Sequence, residues 1–336
     1  MSYDIDIKQL NYDVDEYGSS CLTFEISGKD VDVSFINGLR KTCINQIPTY
    51  AFHPSKINIL RNSSVFDGSE MKLRLSQIPI MNINNKVTFL PLKYYKNINF
   101  LDLKLERHPD DDLDIEIYIN KKNDGPDKIL NITTNDIRIS INNEIIENKK
   151  IYLEKNPILL IQLRIGEEFE CSMKSVLAVG ELDSIFNASN SFFEEITENK
   201  YIFSIQSFGQ LSEYDLIKKG FEIIIEKLKI IKDNITNSQY KSLLTENNSL
   251  IIEITNEDHT CGGPLNYILQ GMKEVEFSGI SKPNFLQKNI CLKIKFQEKQ
   301  DPNDILIKGI DKTIEQYKFI QNKFSKILEQ NTKTKK

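Results

Sequence analysis

Apolar and polar residues alternate along 20–27 (SCLTFEIS), where Leu22, Phe24 and Ile26 are separated by Thr23 and Glu25. Period two is the mark of a half-buried strand. The period changes over 34–47. At 100° per residue, Leu39, Cys43 and Ile47 fall within about 60° of Ile36, which predicts a helix with one apolar stripe. Pro48 ends it, because the residue before proline avoids helical geometry. From about 50 to 168 short β-like runs predominate: 57–60, 87–90, 98–105, 113–120, 136–141 and 158–165, separated by Asn, Asp, Gly and Pro. The cleanest places Leu113, Ile115, Ile117 and Ile119 on one face. Asp67 and Glu70 have capping-box spacing for one short helix that closes before Pro79.

A strand is predicted at 201–206, and Ser212-x-x-Asp215 opens a long helix. Its apolar residues Ile217, Phe221, Ile224, Leu228, Ile231 and Ile235 advance by four and three in turn, a heptad-like seam made to pack on another helix. The polar run 236–248 reads as a linker. The opening order then returns: a strand at 249–255, a helix at 264–272, a strand at 290–296 and a long helix from Asp301-Pro302. The last helix carries its own seam, Leu306, Ile310, Tyr317, Ile320, Phe324 and Ile327. Glu25, Ile26 and Asp30 also echo Glu253, Ile254 and Asp258 at one offset, and Asn37 and Leu39 echo Asn266 and Ile268 at the next. Two half-similar modules, each with an unburied seam, are expected to pack on each other like halves of a dimer. The competing reading is two unrelated α+β domains.

The length, 336 residues, allows two domains and a small third. A chain with 43 Lys+Arg against 48 Asp+Glu, net −5, is not built chiefly to grip phosphate backbones. No run approaches the 18 apolar residues of a membrane span, and the acidic, alternating N-terminus is neither a signal nor a transit peptide. Ile, Lys and Asn fill about a third of the chain, which suggests A/T-rich codons.

Candidate chemistry is sparse. The five cysteines form no CxxC pair, and His53, His108 and His259 have no metal-ligand spacing, so no structural zinc is expected. Cys43 and Cys261 read as core residues. Asp110, Asp112 and Asp114, if extended, would point alternate carboxylates one way and could hold Mg²⁺, the basis of a metal-dependent phosphoryl-transfer alternative. A solvated acidic turn is the competing reading. Gly262-Gly263-Pro264 reads as a turn before a helix, suited to an anion or simply to a tight backbone. No motif assembles nucleophile, base and oxyanion site.

Three stretches carry a resemblance. Phe35, Asn37, Gly38, Leu39, Arg40, Lys41 and Pro48 resemble the helix signature of the RNA polymerase α subunit family. Asn62, Ser64, Glu70, Arg74, Ile78 and Pro79 are similar to that family's next block. Glu257, Asp258, His259, Thr260, Gly262 and Leu265, then Val275, Glu276, Phe277, Gly279 and Pro283, resemble the small partner subunit, the eleventh of eukaryotic polymerase II or archaeal L. Where that subunit normally has Thr-Leu-Gly-Asn, Cys261 replaces Leu, and Gly263-Pro264 precede Leu265.

The resemblance is to a fusion of the third-largest and eleventh subunits, as in large cytoplasmic DNA viruses. It implies an α+β, α-like dimerisation fold present twice: a first module at 1–48 and 169–236, a β-rich inserted domain at 49–168, a linker at 237–247, a second module at 248–330 and a flexible tail at 331–336. It implies pairing through Ile36, Leu39, Cys43, Ile224, Leu228, Ile231, Leu265, Ile268, Ile310, Tyr317 and Phe324. It further implies a non-catalytic assembly platform that binds the second-largest subunit through Asn37, Arg40, Lys41, Glu70 and Arg74. The largest subunit and small zinc-binding subunits would be neighbours, with no direct sequence-specific nucleic-acid contact, no membrane contact and no cofactor. A viral chain would work in the virion and host cytoplasm, a cellular one in the nucleus. Family members that hold zinc or an iron–sulfur cluster do so through cysteines of the insert, and here none lies between Cys43 and Cys171.

Overall fold

The computed structural model describes residues 3–15, 18–102, 106–245, 249–284, 286–297 and 301–334. The chain opens with β1 (Asp6–Val14) and β2 (Ser20–Ser27), antiparallel with Ile7 opposite Ile26. The helix α1 (Val33–Asn45) follows. Asp32 caps it by accepting from Ser34 N–H, and Phe35, Ile36, Leu39 and Cys43 form its buried stripe.

The insert then runs through β3 (Thr49–Ala51), β4 (Ile57–Asn62), α2 (Gly68–Ser76), β5 (Ile115–Lys122), β6 (Ile129–Thr133), β7 (Arg138–Ile141), β8 (Glu144–Ile146), β9 (Leu159–Arg164), β10 (Glu168–Lys174) and β11 (Val176–Ala178). Its main sheet has the order β4-β10-β5-β7-β8, with β6 paired to β9 and β3 to β11. The capping box of Asp67 and Glu70 starts α2.

The first module resumes with β12 (Ser189–Thr197), β13 (Lys200–Ser207) and α3 (Glu213–Thr236), whose N-cap Ser212 accepts from Asp215 N–H. The second module is β14 (Lys241–Thr245), β15 (Ser249–Thr255), α4 (His259–Gln270), β16 (Val275–Ser281), β17 (Asn289–Phe296) and α5 (Pro302–Thr334).

The two sheets have orders β1-β2-β13-β12 and β14-β15-β17-β16. With the insert set aside, each module is strand-strand-helix-strand-strand-helix, its strands ordered first, second, fourth, third. Burial follows the same division. One hydrophobic core joins residues of 5–47, 188–235 and 250–324. A second lies wholly between Tyr50 and Phe186. The insert therefore has its own interior, while the two modules share one.

Several elements differ from the sequence expectation. Residues 87–90 and 98–102 form no strand, and 103–105 lie outside the described residues. Their apolar residues instead plug the insert's core, with Val87, Leu90 and Phe100 all buried. At the start of the first stretch, Lys219 Nζ donates to the carbonyls of Asn85 (3.1 Å) and Val87 (2.9 Å). The stretch expected as a linker contains β14, so only residues 237–240 separate α3 from the second module's sheet. Asp110, Asp112 and Asp114 precede β5 in a turn rather than lying in a strand. Gly262-Gly263-Pro264 is no turn; it lies inside α4, which starts at an Asp258 cap. The insert's sheet takes in β10, past the expected boundary at 168, and α5 runs to Thr334.

Candidate functional site

The four module helices meet at one seam. α1 packs on α3 and α4, α3 on α5, and α4 on α5. Glycines let the helices approach closely. A Cβ on Gly38 would stand 2.8 Å from Tyr317 Oη and 2.9 Å from the Thr260 carbonyl. One on Gly220 would meet Cys43 Sγ at 2.9 Å, and one on Gly309 would meet Leu269 Cδ2 at 2.6 Å. Pro264, six residues past the α4 cap, has no N–H to offer the Thr260 carbonyl, and Gly38 lets α1 come up against that oxygen.

Aromatic rings run through the seam from one module to the other. Phe35 lies 4.8 Å from Tyr317, which lies 6.2 Å from Phe221. Phe221 is 5.5 Å from Phe324, whose ring meets Phe24 of β2 edge-on at 4.8 Å. An α5 side chain thus packs directly on the first module's sheet. Full burial pushes the Tyr317 phenol well above its ordinary range.

Of the pairing residues read from the sequence, Ile36, Leu39, Cys43, Ile224, Leu228, Ile231, Leu265, Ile310, Tyr317 and Phe324 are buried in this common core, and Ile268 is half-buried at its edge. The seam also has a polar link that the sequence reading missed. Lys227 of α3 and Glu257, just before α4, are 8 % and 7 % exposed, with Nζ 3.0 Å from Oε2. Lys227 Nζ also donates to Gln46 Oε1 at 3.3 Å. Burial would lower the Lys227 pKa, but the Glu257 carboxylate more than offsets it and holds the ammonium above its usual range. The available signal was a lysine three residues after Ile224, inside the apolar stripe.

The residues expected to face a partner separate into two patches. On α1, Arg40 Nε and Nη2 donate to Asn37 Oδ1 at 3.1 and 2.9 Å, and Lys41 lies next to them, half-exposed. Glu70 and Arg74 lie on α2. Glu70 Oε2 accepts from Asp67 N–H within the capping box, and Arg74 lies 5.8 Å from the Phe66 ring. Among the described residues no hydrogen bond or ion pair joins the two patches.

The acidic cluster does not converge. Asp112 pairs with Lys86 at 2.5 Å and Asp114 with Arg107 at 2.7 Å, while Asp110 lies 3.8 Å from His108 Nδ1. Among the described residues no group of His, Cys, Asp and Glu is placed to hold a metal. A thiolate-bound metal does not fit the insert, whose one cysteine, Cys171, is buried with its thiol pushed up to about 12. No helix among the described residues is long and apolar enough to cross a membrane.

Comparison with known proteins accounts for the doubled topology. The RNA polymerase Rpb3/Rpb11 dimerisation domain matches residues 23–228, and a second domain of the same description matches 249–323. The chain belongs to the RNA polymerase Rpb3/Rpb11 dimerisation-domain family. The first match spans the first module and its insert; the second falls on the second module. Over 307 residues the chain is 26 % identical to a protein of Acanthamoeba polyphaga mimivirus named for a DNA-directed RNA polymerase subunit, covering 85 % of each chain. It is 22 % identical over 195 residues to DNA-directed RNA polymerase subunit Rpo3 of Methanocaldococcus jannaschii, covering 58 % of this chain and 81 % of that one. It is also 33 % identical over 86 residues to RNA polymerases I and III subunit RPAC2 of Schizosaccharomyces pombe, covering 26 % of this chain and 69 % of that one. In this Rpb3/Rpb11-type chain both dimerisation domains stand on one polypeptide, and the seam is their interface.

Proposed function

We propose that this chain is the non-catalytic assembly platform of a DNA-directed RNA polymerase and that it binds the second-largest subunit through the Asn37–Arg40–Lys41 edge of α1. The observation that carries the reading is the shared core: two copies of the dimerisation fold are closed on each other within one chain. Pairing is thereby complete, and the exposed rim is left for other subunits. Glu70 and Arg74 add a second contact patch on the insert. The largest subunit joins through the complex, and small zinc-binding subunits are further neighbours. The similarity to a mimivirus protein named for an RNA polymerase subunit supports a viral origin; on that reading the chain works in the virion and host cytoplasm.

The test is Arg40→Glu together with Lys41→Glu. Lys41 lies about 140° from Ile36 and Arg40 about 40°, at the rim of the apolar stripe. Neither fills the core, so the pair should change stability by no more than about 1 kcal/mol. Like charges opposed across an interface cost several kcal/mol, so capture of the second-largest subunit should collapse. A normal melt with undiminished co-purification would move the contact surface off α1.

A further inference from the structure

The basic rim of α1 does not stop at the first module. Arg40 and Lys41 open onto a groove that also holds Lys282, just after β16, and Lys288, just before β17. Two acids share the groove, and both are already engaged. Glu181 Oε2 takes Lys288 Nζ at 2.5 Å, an ion pair that itself ties the first polypeptide half to the second. Asp258 accepts from Thr260 N–H at 2.7 Å as the cap of α4. Burial would raise the Asp258 carboxyl, but its Thr260 hydrogen bonds and the nearby Lys41 and Lys288 hold it below the usual carboxylate range. Arg40, Lys41 and Lys282 remain, with no carboxylate within ion-pair distance among the described residues. Ile44 and Asn45 of α1 and Thr260 of α4 also line the groove.

We propose that this groove is a composite docking site for a carboxylate-bearing peptide segment of another polymerase subunit, held from both modules at once. The proposal rests on the reading of the chain as an assembly platform and adds the site's second wall and the chemistry of its occupant. Carboxylates of the segment meet Arg40, whose planar guanidinium suits paired oxygens, and the point charges of Lys41 and Lys282. A nucleic-acid backbone suits the groove less well. Its unbroken row of charges would run against Glu181 and Asp258, whereas a peptide can place neutral residues opposite them. Since Lys282 comes from the second module and Arg40 from the first, the site exists only once the modules have paired. Capture of the next subunit is thereby conditional on a correctly closed seam.

The experiment uses the full chain co-expressed with the second-largest polymerase subunit of the same genome. Lys282→Glu should weaken capture by about tenfold or more while leaving the melt unchanged, and Lys282→Arg should restore it. Full capture by Lys282→Glu, beside lost capture by Arg40→Glu with Lys41→Glu, would confine the contact to α1. That result overturns the composite groove and leaves the platform reading standing. If the unsubstituted chain captures no polymerase subunit, the platform reading fails and the groove proposal fails with it. If Lys282→Glu instead abolishes binding to a fluorescent DNA duplex with capture intact, the groove belongs to nucleic acid and the proposal is wrong.

Discussion

Replacing Glu257 by alanine should strain the seam far more than its position in a loop suggests. The carboxylate faces Lys227 at 3.0 Å, with both residues more than nine-tenths buried. At an effective dielectric of about 20 this separation corresponds to a gross attraction of about 5–6 kcal/mol, most of which offsets the desolvation of the two ions. Removing one partner leaves that desolvation uncompensated. Lys227 would keep Gln46 Oε1 at 3.3 Å and the more distant Glu181 charge, and the expected loss is about 3–5 kcal/mol. Lys227→Met should cost a similar amount, because it leaves the carboxylate buried.

The double variant Lys227→Met with Glu257→Leu removes both charges and fills comparable volume. It should return to within about 1–2 kcal/mol of the parent, the remainder reflecting the lost donor to Gln46. The assay is urea unfolding followed by circular dichroism; the chain has no tryptophan to serve as a fluorescent probe. A single-variant loss under about 1 kcal/mol, or a double variant no better than the singles, would refute the argument. The pH dependence has a definite sign. The Lys227 pKa is raised, so its stabilisation is fully present below the ordinary lysine value of about 10.4 and is lost only as pH rises through the folded-state value. Between pH 6 and 9 Lys227 should contribute no slope to the melting temperature.

Three further outcomes follow from the same geometry. Gly38→Val would drive a side chain into Tyr317 Oη and the Thr260 carbonyl; forced separation of α1 from α4 and α5 should cost about 1–3 kcal/mol, measurable as a lower denaturation midpoint. A protease site inserted at Ser238, where φ is +52°, cuts between α3 and β14, and the two pieces should still elute together on gel filtration; separation at micromolar concentration would contradict the shared core. Replacing Asp110, Asp112 and Asp114 by asparagine should leave transcription by the assembled enzyme unchanged, because the three side chains face separate partners, His108, Lys86 and Arg107; lost catalysis with intact assembly would reverse that conclusion.

Most of the helices and the strands flanking them could be read from the sequence because each has a strong period and a clear start. Ser212 and Asp67 announce caps that the structure contains, and the Ile224–Leu228–Ile231 stripe is buried as its spacing requires. What failed to show has physical causes. β1 and β14 are edge strands with one hydrogen-bonded neighbour each, so they carry little apolar signal; β14 even presents Leu243 and Leu244 to solvent. The false strands at 87–90 and 98–102 are apolar because they fill the insert's core, and local alternation does not show that Lys219 satisfies part of their backbone. Pro264 hid the first turn of α4, since proline usually opens or breaks a helix. The basic pair on α1 could be read only through family likeness. Composition alone could not bring Lys282 beside it, because the two are joined by tertiary packing across more than two hundred residues.

The architecture also explains how one chain can carry a large insert and a second module without weakening the seam. The insert leaves and rejoins the first module at one point, the C-terminus of α1. The carbonyls there would otherwise lack partners, and the returning chain supplies them: Ser189 Oγ donates to the Cys43 carbonyl at 2.8 Å, Ala188 N–H to the Ile44 carbonyl at 3.1 Å and Glu181 N–H to the Asn45 carbonyl at 2.8 Å. The excursion is therefore closed by the same bonds that finish the helix, and the insert's buried residues form a core of their own. The second module is bound differently, by exchange of packing. Phe324 of α5 covers Phe24 in the first module's sheet, and Gln316 Nε2 donates to the Asp30 carbonyl at 2.6 Å. The first module's sheet lacks part of its apolar cover without α5 of the second. When the two dimerisation domains lie on separate chains, that cover depends on both being present at sufficient concentration. Here residues 237–240 hold the halves together, and pairing becomes an intramolecular step at millimolar effective concentration.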